Sequence, residues 1–141
     1  MIDDRYTGLP KAEFAFPGPL RDTLVAAVLS GAKTSTTGLL AEYRKLGEPL
    51  PTPGQRQAVV DSGDLPVAVI EVTEVRVVPL GETDLQHALD EGEGYRTLAE
   101  WRAVHERFWR SPELLEVLED REFTVDDATE VVLERFRVVV P

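Results

Sequence analysis

A chain of 141 residues has room for one domain with a sizeable core and is short for two. With 43% apolar and 29% charged residues it has the composition of a soluble globular protein, and its lack of cysteine excludes disulfides, thiolate metal sites and cysteine nucleophiles together. The net charge of −11 argues against strong binding along duplex nucleic acid, because that affinity comes from neutralising phosphates.

The opening MIDDRYTG is acidic and has no apolar signal core, and no apolar run approaches the roughly 20 residues of a membrane helix. The expectation is a cytoplasmic protein without membrane association. Residues 1–13 read as a polar arm and 14–141 as the single domain. The segment FAFPGPL is an extended approach with turns at Pro17 and Pro19. Leu24, Val25, Val28 and Leu29 recur at helical spacing, which predicts a helix over 20–30 closed by Gly31 as a left-handed cap.

That helix runs into GAKTSTTG, Gly31 to Gly38, where Lys33 stands beside four hydroxyl residues, Thr34, Ser35, Thr36 and Thr37. The chain has three lysines, Lys11, Lys33 and Lys45, all within residues 1–56, where seven Lys or Arg meet six Asp or Glu for a net +1. The remaining eight against twenty give −12 for residues 57–141. A lysine amine among hydroxyls polarises an oxyanion, binds a phosphate or carboxylate, or, if burial lowers its pKa, serves as base for a hydroxyl nucleophile. The same stretch also reads as a glycine-ended helix followed by a polar turn with one exposed lysine. The negative end of the helix dipole beside Lys33 favours the ammonium form.

LLAEYRKLG predicts a short helix stopped by Gly47, and EPLPTPG is too rich in proline for a regular element. A strand over 55–61 ends at the turn signal DSGD. The β-branched run over 66–78 predicts one or two strands with a bulge between them. ETDLQHALD reads as a helix over 83–90. The carboxylates Asp90, Glu91 and Glu93 crowd its carboxyl end, where the macrodipole opposes them; they are a solvated acidic loop or functional groups. In TLAEWRAVHERFW, Thr97 and Glu100 form a capping box, and Leu98, Trp101, His105 and Phe108 share one helical face. Trp101 and Phe108 are expected in the core, with His105 a hydrogen-bonded core or boundary histidine. His87 and His105 form no ligand-spaced pair, so no metal site is expected. SPELLEVLEDRE starts a further helix with Ser111 as cap and Pro112 in its first turn. The terminal EVVLERFRVVV predicts a strand over 131–140 that returns to pair with those of 55–79. The pattern is that of an α+β domain, a small mixed barrel or sheet with helices packed on it.

Taken together, GAKTSTTG, VAVIEVTEV, EGEGYRTLAEWRAVHERFW and VVLERFRVV resemble the ASCH domain family, over Phe14 to Val140. The resemblance implies a small PUA-like mixed β-barrel with flanking helices and a central cleft lined by the signature. Some small members of that family are amidohydrolases that deacylate acetylated cytidine, and another branch is described as ribonucleases. The amidohydrolase lysine, the threonine three positions later and the glutamate before the tryptophan-bearing helix fall on Lys33, Thr36 and Glu91. The small hydrolases carry an arginine soon after the threonine, where this chain has Thr37 and Gly38. The resemblance thus implies a catalytic set of Lys33, Thr36 and Glu91 that uses no cofactor. Thr34 and Ser35, with a basic lip formed by Lys33, Arg44, Lys45 and Arg56, are expected to bind the ligand. That ligand is a small nucleoside-like amide or a short single-stranded RNA; the alternatives are a non-catalytic binding module and a ribonuclease. On an ideal strand Lys33 and Thr36 face opposite ways, so their convergence requires the segment to bend.

Overall fold

The β-branched runs of the sequence form two long strands, and the other elements are laid against them. The computed structural model describes residues 4–140; residues 1–3 of the expected arm and Pro141 lie outside the described residues. In chain order the elements are β1 (Lys11–Ala12), α1 (Pro19–Ser30), β2 (Ser35–Leu39), α2 (Leu40–Leu46), β3 (Arg56–Val60), β4 (Pro66–Pro79), α3 (Leu85–Asp90), α4 (Leu98–Trp109), α5 (Pro112–Leu118) and β5 (Glu130–Val140). They build one five-stranded sheet in the order β1-β3-β4-β5-β2. β1 runs parallel to β3, and the other neighbours are antiparallel.

The long run over 66–79 is a single strand, and its register against β5 slips between Val69 and Ile70 and again between Val72 and Glu74. These bulges explain why its apolar residues change parity. On β5 the alternation splits the core in two. Val131 and Leu133 join Leu39, Trp101, Trp109, Leu114 and Leu118. Phe136 joins Phe14, Leu24, Val25, Val28, Val59 and Ile70. Thus α1 covers one face of the sheet, and α4 with α5 covers the other.

The sheet differs from the expected barrel in being open. Closure would require β1 to pair with β2, but each is an edge strand. β1 offers only two residues, and the chain then leaves the sheet through Ala15, which has a positive φ of 61°, and Pro17, which has no N–H to donate. Part of the expected arm belongs to the sheet, since Lys11 and Ala12 pair with Ala58 and Val59. In α4 the fully buried positions are Trp101 and Trp109, whereas Phe108 is half-buried. Among the described residues no helix is long and apolar enough to cross a membrane.

Candidate functional site

The site begins where α1 ends. Gly31 takes the left-handed conformation with φ 85°, and the Lys33 N–H turns back to the Ala27 carbonyl at 3.0 Å. The Thr34 N–H is tied to the Asp90 carbonyl at 2.8 Å, which lays the α3–α4 loop over this turn. Gly92, with φ +69°, sits so close that a Cβ there would lie 2.3 Å from the Ala32 carbonyl oxygen and 2.7 Å from the Lys33 nitrogen. This contact fixes Glu91 and Glu93 on the lysine. Lys33 is 2% exposed. Its Nζ lies 3.3 Å from Glu93 Oε2 and 3.7 Å from Glu91 Oε1, donates to the Glu91 carbonyl at 3.4 Å, and is 5.8 Å from the Phe14 ring centroid.

Glu91 is buried and surrounded by donors. Its Oε2 accepts from Thr37 Oγ1 at 2.6 Å and from Trp101 Nε1 at 2.7 Å, and His87 Nε2 stands 3.5 Å away. Its Oε1 faces His105 Nε2 at 3.0 Å. Burial alone would push this carboxyl up, but the hydrogen bonds from His105 and His87 and the charges of His105 and Lys33 outweigh it and hold it well below the usual carboxylate range. His105 Nδ1 faces the Trp101 carbonyl at 2.8 Å. Both of its nitrogens therefore meet acceptors, the arrangement that suits an imidazolium. Burial opposes that charge, yet the Glu91 carboxylate raises the His105 pKa above its ordinary value. Glu93 goes the other way from Glu91: burial first, then the negative charge of Glu91, raises its carboxyl against the pull of Lys33. Tyr95 donates to Glu93 Oε1 at 3.1 Å. Two neighbouring carboxyls with opposed shifts are a pattern found where protons are moved.

A cleft of about 1010 Å³ borders both edge strands and reaches this cluster. Phe14 contributes to its wall from the chain after β1, Thr36 and Gly38 from β2, Tyr43 from α2, Phe108 from α4 and Glu134 from β5. The adjacent threonines have separate duties. Thr37 gives its proton to Glu91 and meets His87 Nε2 at 2.8 Å, so His87 donates through that nitrogen. Thr36, on the opposite face of β2, lines the cleft and makes no side-chain hydrogen bond among the described residues. At the mouth, Phe16 and Phe108 present rings with centroids 5.6 Å apart.

Of the residues singled out in the sequence, Lys33, Thr36 and Glu91 all line the cleft, and Lys33 and Glu91 touch. Lys33 precedes β2 rather than lying in it, which removes the opposition expected of two strand positions three apart. Thr34, Ser35, Arg44 and Arg56, expected around the ligand, do not line this wall. Thr34 is bonded to Asp90, and buried Ser35 donates to the His87 carbonyl at 2.8 Å. Arg44 and Lys45 border a second, smaller hollow between α2 and α5, where Lys45 pairs with Glu119 at 2.9 Å. Arg56 pairs with Glu71 at 3.2 Å. Lys33 lies in the cleft, Arg44 and Lys45 lie together at the second hollow and Arg56 on β3, so the four cations do not form one basic lip. Sequence reasoning missed the two histidines as a pair flanking Glu91. The i,i+4 spacing of His87 and Glu91 was a usable signal; the approach of His105 is tertiary and had none. Thr37 and Glu93 stood among the hydroxyls and carboxylates singled out but were given no role of their own, and Glu134 was read only as a strand residue. Among the described residues no group of three or more histidine or acidic side chains is arranged to hold a metal ion.

An open α+β sheet flanked by helices, with a lysine clamped at the base of a cleft beside its edge strand, defines a PUA-like domain of a particular kind. The ASCH domain model matches residues 13–140, and the chain belongs to that family. The structure is similar to the crystal structure of an ASCH domain from Lactobacillus crispatus, with TM-score 0.81 and 26% identity over 98% of this chain and 84% of that one. It is also similar to a protein from Enterococcus faecalis described under the family model DUF984, with TM-score 0.72 and 30% identity over 84% of this chain and 68% of that one. No curated protein matches the sequence.

Proposed function

We propose that the cleft hydrolyses a small acylated amide of nucleoside type, acetylcytidine-like in its chemistry. The observation that carries this reading is the buried Lys33 amine, clamped between Glu91 and Glu93 in a cleft where the neighbouring Thr36 hydroxyl is uncommitted. Lys33 Nζ is placed to receive the carbonyl oxygen of the substrate as negative charge develops on it. Thr36 supplies the hydroxyl that attacks the acyl carbon. Glu91, its oxygens occupied by Thr37, Trp101 and His105, acts as a fixed anion that holds Lys33 at its post. The cleft volume lies at the upper end of the roughly 300–1,000 Å³ usual for small-molecule sites. The apolar mouth, with Phe16 and Phe108, suits a flat ring that can stack. The separation of Arg44 and Lys45 from Arg56 and from Lys33 favours a free nucleoside or a short single strand over a long nucleic acid.

The test is a panel of acylated nucleosides incubated with the protein and read for released free nucleoside, N-acetylated cytidine among them. Turnover in the parent that disappears in Lys33→Ala and Thr36→Ala supports the reading. Saturable binding of the same compounds with no turnover in the parent replaces it with the binding-module alternative.

A further inference from the structure

The reaction just proposed needs an acceptor for the Thr36 proton, and Glu91 is already held by donors on both oxygens. β5 carries a different carboxyl. Glu134 pairs directly with Thr36 in the antiparallel β2–β5 ladder, so the two side chains leave the sheet on the same face, with Cβ atoms about 4.5–5.5 Å apart. Both line the cleft. Glu134 is 6% exposed, and no hydrogen bond reaches its buried Oε1. A buried carboxyl oxygen left without a donor is costly. The same face holds Tyr43, whose ring lies 3.2 Å from where a Gly38 Cβ would be.

We propose that Glu134 is the proton-transfer residue of the cleft, taking the Thr36 hydroxyl proton, passing it to the departing amine and restoring a proton from water to Thr36 at the end of turnover. The proposal rests on the hydrolase reading above. In the first half, the Glu134 carboxylate accepts the Thr36 Oγ1 proton as the Oγ1–acyl carbon bond forms. The C–N bond then breaks as that same proton passes from Glu134 to the departing amine nitrogen. In the second half, Glu134 takes a proton from water as the water oxygen bonds to the acyl carbon. It returns that proton to Thr36 Oγ1 as the ester bond breaks, releasing the carboxylic acid. Lys33 stabilises the oxyanion in both halves. The charged and titratable groups facing Glu134 are Lys33, from the turn before β2, and Tyr43, from α2. Burial raises the Glu134 carboxyl to about 7, against the attraction of Lys33, which suits a group that must both accept and give a proton near neutrality.

The experiment measures kcat, KM and their pH dependence for the parent, Glu134→Gln and Glu134→Asp on the acylated nucleoside that the parent turns over fastest. Glu134→Gln should lower kcat by about 10²–10⁴-fold with KM little changed, and abolish the acid limb of the kcat/KM profile, which in the parent is centred near pH 7. Glu134→Asp should keep an acid limb, moved to the pKa of the new carboxyl, with reduced kcat; this arm decides the question even if the glutamine variant folds poorly. Glu134→Gln with parental kcat, or Glu134→Asp with an unmoved limb and full kcat, overturns the proposal while leaving the hydrolase reading in place. A parent that turns over nothing in the panel overturns the hydrolase reading, and the proton-transfer role falls with it.

Discussion

Gly92→Ala tests whether the α3–α4 loop is held on Lys33 by contact or only by its own turn. At Gly92 an added Cβ would lie 2.3 Å from the Ala32 carbonyl oxygen and 2.5 Å from its carbon, so backbone must move. Two costs combine there. Holding alanine at φ +69° costs about 1–2 kcal/mol, and forcing an extra methyl into packed backbone adds about 1–3 kcal/mol. Gly94 separates them, since it has φ +88° but nothing within 4 Å of the place a methyl would take. Urea unfolding of both variants should show Gly94→Ala losing about 1–2 kcal/mol and Gly92→Ala losing about 2–5 kcal/mol. Displacing the loop should also draw Glu91 away from His105 and lower the imidazole pKa, readable by NMR titration. Equal losses in the two variants, with an unmoved His105 titration, would refute the stapling argument.

The two threonines should behave oppositely: Thr36→Ala should abolish turnover and leave the unfolding midpoint unchanged. Thr37→Val should cost about 1–3 kcal/mol, because Glu91 loses a donor and His87 Nε2 loses its partner. His105 should titrate above the ordinary value of about 6.5, and Glu91→Gln should bring it down. The stability this histidine contributes is present below about pH 6.5 and is lost as pH rises through its higher folded pKa, which unfolding at stepped pH measures. For Glu134 the carboxyl is protonated in both states below pH 4.5, and from there to about 7 the unfolded chain releases a proton that the folded chain keeps. The parent should therefore lose about 3 kcal/mol against Glu134→Gln across that window, and parallel stability curves would contradict the shift.

How much of this was legible in the sequence depended on how local the cause was. The helix over 19–30 followed from Leu24, Val25 and Val28 with Gly31 as its cap, and the capping box of Thr97 and Glu100 marked the start of α4. The long strands announced themselves through β-branched residues. The edge strands did not: β1 has two residues, and β2 is written in hydroxyls and glycine, so neither carries an apolar alternation. With both edges out of view, the open sheet could not be told from a barrel. Lys33 and Glu91 were visible as odd chemistry, a lone lysine among hydroxyls and acids against a helix dipole. Their mutual contact was not, because it depends on Gly92 lying against Ala32 across some sixty residues of chain. Glu134 was hidden by its surroundings. In VVLERFRVV it reads as the polar member of an alternating strand, and only the pairing with Thr36 turns that position toward the cleft.

The charged cluster is poorly accounted for by stability. Removing Lys33, Glu91 and His105 from water costs several kcal/mol per ion, and such groups are often replaced by apolar side chains without loss. What the arrangement supplies is position. Trp101 illustrates the point: its ring fills the core between the sheet and α4, while its Nε1 fixes one oxygen of Glu91 at 2.7 Å. That oxygen also receives Thr37, which is part of β2, and the other oxygen receives His105, whose Nδ1 is turned by the Trp101 carbonyl. The lysine is therefore referenced to β2, α3 and α4 at once, with little freedom to follow solvent. Thr36 and Glu134 share the neighbouring ladder position without such constraints, one hydroxyl and one carboxyl uncommitted beside a fixed cation. A rigid cation next to an uncommitted hydroxyl and an uncommitted carboxyl suits the acyl transfer proposed above, since stabilisation of an oxyanion depends on preorganisation while a proton must still move.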